Sequence, residues 1–277
     1  MMTSNYITVL DRELHYTEWG AANRDTVIMW HGLARTGRDF DDIAQALSDR
    51  YRVICPDTIG RGLSQWSPAP EREYSVSFYT RLAVALVDAL GVGALRWLGT
   101  SMGAMIGTAA AAGPLKGRIS HMVLNDMGPK IGEAALARIR AYAGNPAQFD
   151  RVSELEAYFR TIYQPYGHLT DAQWRRLTET SVRRMPDGKV TPHYDPRIVM
   201  MFTHHEDELD QWALWDALEC KVLCLRGAES DLLLPQTAAE MERRGPRCRV
   251  VIIPGVGHAP ALNVPEQIGL VAEFFAS

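Results

Sequence analysis

A serine between two glycines offers this chain a nucleophile. Ser101 lies in Gly99-Thr100-Ser101-Met102-Gly103, between an apolar run that predicts a strand (95–98) and a small-residue run that predicts a helix (102–112). A sharp strand-to-helix turn would present the hydroxyl at the carboxyl edge of a sheet, with glycines wanted where side chains would collide with backbone. The helix N-terminus favours developing negative charge. We therefore predict that Ser101 is a catalytic nucleophile.

A histidine near the end of the chain could act as the base. A serine hydroxyl is a poor nucleophile unless a base takes its proton. His258 lies in Gly255-Val256-Gly257-His258, just after a predicted strand at 249–253. It is the only one of eight histidines that follows Ser101 and lies at the carboxyl end of a predicted strand. We therefore predict that His258 is the general base.

Two aspartates compete to orient the histidine. Asp231 follows the predicted strand at 221–225, and Asp126 follows the one at 119–124. Where a serine occupies such a turn, the acid lies between serine and histidine in sequence, which fits both. The motif context favours Asp231, while Asp126 could instead line the pocket or anchor the following segment. Glu229 is a third and weaker candidate.

Short apolar runs alternate with helical patterns along the chain. Runs of four to six apolar residues between helices are typical of a mostly parallel sheet covered on both faces, and an initial hairpin suggests an antiparallel start. The predicted strands are 6–10, 13–19, 26–30, 51–55, 95–98, 119–124, 221–225 and 249–253. We expect an α/β core domain, 1–128 with 216–277, and a helical cap at 129–215, inserted after strand 6.

The predicted cap is rich in aromatic residues and should determine substrate specificity. Much of this set should pack within the cap, and the rest could form an apolar ceiling over the site. Outside or at the edge of the cap, Arg35, Trp66 and Trp212 could also line the pocket. The aromatic set is Tyr142, Phe149, Tyr158, Phe159, Tyr163, Tyr166, Trp174, Tyr194, Phe202, Trp212 and Trp215.

Composition favours an ordinary globular protein with a small-molecule substrate. The chain has 277 residues, 47% of them hydrophobic, and a formal net charge of −4, which gives no reason to expect nucleic acid or a membrane as partner. Four cysteines without CxxC spacing, and no apolar leader, favour free thiols and a cytoplasmic location. We expect no cofactor and no metal, and a monomer or homodimer.

Taken together, these motifs resemble the α/β-hydrolase superfamily, particularly capped serine esterases and lipases such as bacterial carboxylesterases. The resemblance covers nearly the whole chain and includes Gly257-His258. It also includes His31-Gly32 after the third strand, and Asp57-Thr58-Ile59-Gly60-Arg61-Gly62-Leu63-Ser64 after the fourth, similar to DxxGxGxS. Gly227, Asp231 and Pro235 after the seventh strand complete it. The resemblance implies the α/β-hydrolase fold, with a mostly parallel eight-stranded sheet.

The resemblance also assigns roles to residues around the nucleophile. In that family the residue after His-Gly and the residue after the serine supply the oxyanion-hole amides, which here are Leu33 and Met102. His31 would support the loop, and Asp57 would bind local amides in its turn. Many relatives carry an acidic residue where this chain has Asn263, which affects the subfamily assignment rather than the chemistry.

The function that these residues predict is hydrolysis of carboxylic esters through an acyl-enzyme. Lactone hydrolysis and C–C bond hydrolysis use the same triad and stay open, although Ala259 after the histidine disfavours the C–C hydrolases. A non-enzymatic receptor for a small ligand could keep the same residues. Epoxide hydrolases and dehalogenases use an aspartate nucleophile, so Ser101 argues against both.

Overall fold

An eight-stranded sheet organises the chain in the computed structural model, which describes residues 1–277 with the exception of the Tyr142 side chain. The strands are β1 (Met2–Val9), β2 (Arg12–Trp19), β3 (Thr26–Trp30), β4 (Arg52–Pro56), β5 (Leu95–Thr100), β6 (Ile119–Asn125), β9 (Lys221–Gly227) and β10 (Arg249–Ile253); β7 (Val182–Arg184) and β8 (Val190–Pro192) form a separate small sheet. In the large sheet the strands lie in the order β1-β2-β4-β3-β5-β6-β9-β10.

Strand direction in the large sheet follows the predicted pattern. β1 and β2 pair antiparallel, and β2 pairs antiparallel with β4. The remaining neighbours in the large sheet, β4, β3, β5, β6, β9 and β10, pair parallel. The hairpin turn places Leu10 and Asp11 at φ of 50° and 57°, the positive values that tight hairpin turns use. The predicted α/β-hydrolase fold with a mostly parallel eight-stranded sheet is confirmed.

Helices cover both faces of the sheet. Residues alternate between the faces along each strand, so Ile28 and Trp30 enter one buried cluster while Val27 and Met29 enter the other. The helices are α1 (Asp41–Leu47), α2 (Pro70–Glu73), α3 (Val76–Ala89), α4 (Met102–Ala112), α5 (Glu133–Ala143), α6 (Val152–Ile162), α7 (Asp171–Glu179), α8 (Trp212–Asp216), α9 (Pro235–Met241) and α10 (Pro265–Phe275). Helices α3 and α4 pack on the first face, and α1 and α10 on the second.

The segment between β6 and β9 has two kinds of core. Leu155, Phe159 and Trp174 belong to a cluster of their own, whereas Ile139 and Met201 join the cluster on one face of the large sheet. The sequence predicts only helices in this segment, but β7 and β8 pair within it. Each has only three residues, too few for an alternating pattern to be visible in the sequence.

Among the described residues, no helix combines the length and the apolar character needed to cross a bilayer.

Candidate active site

Ser101 occupies a strained turn between β5 and α4. Its φ of 52° and ψ of −115° are rarely adopted by a residue with a side chain. A side-chain carbon on Gly99 would lie 2.3 Å from the Gly103 backbone, and one on Gly103 would lie 1.9 Å from the Trp30 carbonyl oxygen. The sequence argument for both glycines therefore holds: only hydrogen fits at either position, and the turn exposes Ser101 to a cavity.

His258 is held by Asp126. The His258 Nδ1–H donates to Asp126 Oδ2 at 2.7 Å, and the Asp126 side chain is fully buried. Two further donors satisfy the same carboxylate: the Gly227 amide at 2.9 Å on Oδ1, and the Ser230 hydroxyl at 2.6 Å on Oδ2. Because Nδ1 carries the proton, Nε2 of the neutral ring is left free to accept one.

The predicted pairing of Asp231 with His258 is not found. Asp231 is half exposed, and its carboxylate accepts hydrogen bonds from the Arg138 guanidinium at 2.7 and 2.8 Å. Both aspartates follow carboxyl ends of neighbouring strands, but only Asp126 is buried. Asp126 takes a positive φ of 55°, which directs its side chain beneath His258. Asp126 therefore replaces Asp231 as the candidate acid.

Ser101 and His258 both line a cavity of about 600 Å³. The other predicted site residues, Leu33, Met102 and Asp231, also line this cavity. Of the predicted specificity residues, Arg35, Tyr158, Tyr163, Tyr166 and Phe202 line it, whereas Trp66 and Trp212 lie under the guanidinium groups of Arg183 and Arg244. The cavity is mostly apolar, which suits a small or medium organic ligand.

The loop that carries Leu33 is fixed by His31. The buried His31 ring donates from Nδ1 to the Gly32 carbonyl oxygen at 2.6 Å, and its Nε2 accepts the Thr58 amide at 2.9 Å. In a planar trans peptide the Leu33 N–H points opposite to the Gly32 oxygen, so this bond fixes the direction of the amide. A side-chain carbon on Gly32 would lie 3.5 Å from Ser101 Cβ, so this peptide adjoins Ser101.

The His31 ring is neutral over the physiological range. Burial lowers the pKa of His31 from 6.5 to about 4, although the nearby Asp57 carboxylate opposes the decrease. The neutral form is also the only one that can accept the Thr58 amide. The role expected for His31, support of the loop rather than proton transfer, fits these contacts.

Asp57 has the structural role that its motif predicts. Its carboxylate accepts the amides of Gly37 at 2.7 Å and Leu63 at 3.0 Å, and the His15 Nδ1–H at 2.8 Å. Burial, the largest single influence, raises the pKa of Asp57, but the hydrogen bond and charge of His15, the charge of His31 and the Leu63 amide together outweigh it, so the pKa lies below its ordinary value. Asp57 thereby ties the loop after β4 to the loop after β3.

Sequence reasoning did not identify three residues that shape the site. Ser230 donates to Asp126, and the Asn125 amide donates to the Pro260 carbonyl oxygen at 2.9 Å, which anchors the chain just after His258. Arg61 donates to the Leu33 carbonyl oxygen at 2.7 Å. Only Arg61 lay in a recognised motif; the contacts of the other two join segments about 100 residues or more apart, which no local pattern reveals.

Within the described part of the chain, no group of three or more His, Cys, Asp or Glu side chains could hold a metal ion. All four cysteines are free, with Cys55, Cys224 and Cys248 buried.

Comparison with known proteins gives one family and relatives that match over most of their length. Residues 27–268 match the model of the alpha/beta hydrolase family. The 3-hydroxybutyrate-oligomer hydrolase of Cupriavidus necator is 43% identical over 270 residues, 94% of this chain and 92% of that protein. The 2-(acetamidomethylene)succinate hydrolase of Mesorhizobium japonicum is 27% identical over 84% of this chain and 81% of its own length.

Solved structures agree with the fold over the whole chain. A putative hydrolase from Rickettsia typhi superposes with a TM-score of 0.90 at 28% identity, covering 100% of this chain and 99% of that one. An alpha/beta hydrolase from Novosphingobium aromaticivorans gives a TM-score of 0.88 at 32% identity, covering 99% of this chain and 98% of that one.

Proposed function

This chain belongs to the alpha/beta hydrolase family, and we propose that it is a serine esterase with Ser101, His258 and Asp126 as its catalytic triad. The observation that carries the proposal is the 2.7 Å bond from His258 to the buried Asp126, on a histidine that lines the same cavity as Ser101. A base oriented by a buried carboxylate beside a strained serine is the arrangement that nucleophilic acyl transfer requires.

The proposed reaction proceeds in two acyl-transfer steps. His258 Nε2 takes the Ser101 proton as the oxygen attacks the ester carbonyl, and Asp126 stabilises the imidazolium that forms. The amides of Leu33 and Met102 hold the negative oxygen of the tetrahedral intermediate. The alcohol leaves with the proton from His258, and water then repeats the cycle on the acyl-enzyme to release the acid.

We propose short hydroxyalkanoate esters, such as oligomers of 3-hydroxybutyrate, as substrates. A relative that is 43% identical over nearly its full length carries the name 3-hydroxybutyrate-oligomer hydrolase. The mostly apolar cavity of about 600 Å³ has room for a few such units. Residues 129–215 act as the cap in this proposal, because Tyr158, Tyr163 and Phe202 line the cavity. Free cysteines favour a cytoplasmic enzyme.

Hydrolysis of the 3-hydroxybutyrate dimer and trimer tests the proposal, with p-nitrophenyl butyrate as a generic ester. We expect turnover by the wild type and a loss of at least about 1,000-fold in kcat for Ser101→Ala, the usual cost of removing such a nucleophile. A lactone and a vinylogous diketone in the same screen test the alternative reactions.

A fluorophosphonate probe separates an enzyme from a receptor. We expect it to label the wild type at Ser101 and to leave Ser101→Ala unlabelled. Rapid labelling without turnover of any ester, lactone or diketone would support a ligand receptor and overturn the esterase proposal. Ester turnover that persists in Ser101→Ala would overturn the triad.

A further inference from the structure

Arg61 is a fully buried cation beneath the proposed oxyanion hole. It lies in the loop after β4, and none of its surface is exposed. Its Nε donates to the Leu33 carbonyl oxygen at 2.7 Å, and its Nη2 lies 3.5 Å from the Met102 sulfur. One guanidinium therefore contacts both residues whose backbone amides are the candidate oxyanion donors.

The charge of Arg61 has no carboxylate partner among the described residues. Its other contacts are neutral: Nη1 donates to the Ile59 carbonyl oxygen at 2.8 Å and to the Tyr79 hydroxyl at 2.6 Å. The rings of Tyr74 and Tyr79 lie 5.6 and 5.0 Å from the guanidinium carbon. By contrast, the buried Arg35 is paired with Asp39.

A buried, unpaired cation is costly to keep. Removing a charge from water has a desolvation cost that carbonyl oxygens and aromatic faces offset only in part. Even buried ion pairs can often be replaced by apolar residues without loss of stability. Fold stability alone therefore gives little reason for an arginine here. A nearby site where negative charge forms during the reaction gives a better reason for an arginine here, because a cation close to that charge lowers the energy of the transition state.

We propose that Arg61 is the positioning residue of the oxyanion hole. It fixes Leu33 and Met102 relative to each other and places a positive charge behind the oxygen that becomes negative. The inference rests on the proposed esterase function, since it concerns the same tetrahedral intermediate. Arg61 does not touch the substrate, so it should act on kcat rather than on KM.

Arg226 provides a matched control on the other side of the site. It is also buried, and it too donates to carbonyl oxygens, those of Leu233 at 2.7 Å and Ser230 at 3.3 Å. It therefore supports the loop whose Ser230 hydroxyl binds Asp126. Replacing Arg226 should disturb the Asp126–His258 pair, whereas replacing Arg61 should disturb the oxyanion donors.

Steady-state kinetics with p-nitrophenyl butyrate and affinity for an alkyl boronic acid test the proposal. The boronic acid adds to Ser101 and mimics the tetrahedral intermediate. For Arg61→Met we expect kcat to fall about 10- to 100-fold, KM to change less than about threefold, and boronate affinity to fall with kcat. Arg61→Lys, which keeps the charge, should recover part of both.

The pH profile distinguishes the two arginines. We expect the acidic limb of kcat/KM, which reports His258, to stay in place in Arg61→Met and to move in Arg226→Lys. Equal losses of kcat in both variants, with boronate affinity unchanged in Arg61→Met, would show that Arg61 only supports the fold and would overturn the proposal.

A milder variant covers the case in which Arg61→Met does not fold. Tyr79→Phe removes one hydroxyl acceptor and keeps the guanidinium, so we expect a smaller loss, about two- to fivefold in kcat, matched by boronate affinity. No loss in either would contradict the proposal. If the wild type cleaves no ester, the proposed function is wrong. If the wild type is active and Arg61→Met keeps wild-type kcat and boronate affinity, only this inference is wrong.

Discussion

Two aspartates follow neighbouring strands of the sheet and reach opposite surroundings. Asp126, after β6, is fully buried and accepts hydrogen bonds from His258, Gly227 and Ser230. Asp231, after β9, is half exposed and binds only Arg138 among the described side chains. Both positions satisfy the chain order that a serine triad needs. The surroundings of each carboxylate, rather than its place in the sequence, separate them.

Donors and burial explain why one aspartate suits the triad. A carboxylate removed from water is tolerated only where hydrogen bonds replace the lost solvation, and three donors do so at Asp126. Such a group is held in one place and can keep the histidine in one tautomer. Asp231 is half exposed at the cavity, where its ion pair with Arg138 orients it only weakly.

The largest test of this contrast replaces each carboxylate by its amide. We expect Asp126→Asn to lower kcat roughly 1,000- to 10,000-fold, because the amide cannot hold the His258 ring in the required tautomer. Asp231→Asn should change kcat less than about threefold. Steady-state kinetics on p-nitrophenyl butyrate measure both. A larger loss in Asp231→Asn than in Asp126→Asn would restore the sequence-based assignment.

A pH titration of stability extends the contrast to a buried histidine at the same edge of the sheet. His31 has a pKa of 6.5 when exposed and about 4 in the fold, so the unfolded chain binds its proton first. The neutral His31 ring contributes fully to the free energy of unfolding above pH 6.5. As the pH falls from 6.5 towards 4, about 3 kcal/mol of this free energy is lost. Urea unfolding of wild type and His31→Asn measures the difference, which should narrow across this window. A constant difference would contradict the burial argument.

Removing one donor from the buried carboxylate should have an intermediate effect. Ser230→Ala deletes the hydroxyl that lies 2.6 Å from Asp126 Oδ2. A hydrogen bond to a charged group contributes roughly 1.5 to 3 kcal/mol, so we expect a comparable loss of unfolding free energy and about a tenfold loss in kcat. Wild-type stability and kinetics in this variant would mean that the remaining donors suffice.

The exposed side of the comparison should show the smallest effect. A double-mutant cycle of Arg138→Gln and Asp231→Asn should give a coupling energy of about 1 kcal/mol or less, as for other solvent-exposed ion pairs. High salt should reduce it further. Chemical denaturation of the four proteins measures the cycle. A coupling above about 2 kcal/mol would indicate a rigid latch between the inserted segment and the sheet.

Strong local signals predicted most of the fold. The helix Met102–Ala112 and the strand Thr26–Trp30 have the predicted bounds. The helix is a run of mostly small residues that ends at Gly113, and the strand is an apolar run that ends at His31-Gly32. The predicted strand at 95–98 extends in the structure to Thr100, since backbone pairing with β6 continues past the apolar run. Strands β7 and β8 were missed because three residues show no period.

The turn at Ser101 could be predicted from sequence, because steric contacts with the neighbouring backbone require glycine at positions 99 and 103. The order of the candidate residues along the chain, serine before acid before histidine, could also be read from the sequence. Which aspartate meets His258 could not be predicted from sequence, because it depends on the positive φ of Asp126 and on donors from a loop about 100 residues away. Burial and long-range hydrogen bonds leave no local trace in sequence, and together they make Asp126 rather than Asp231 the partner of His258.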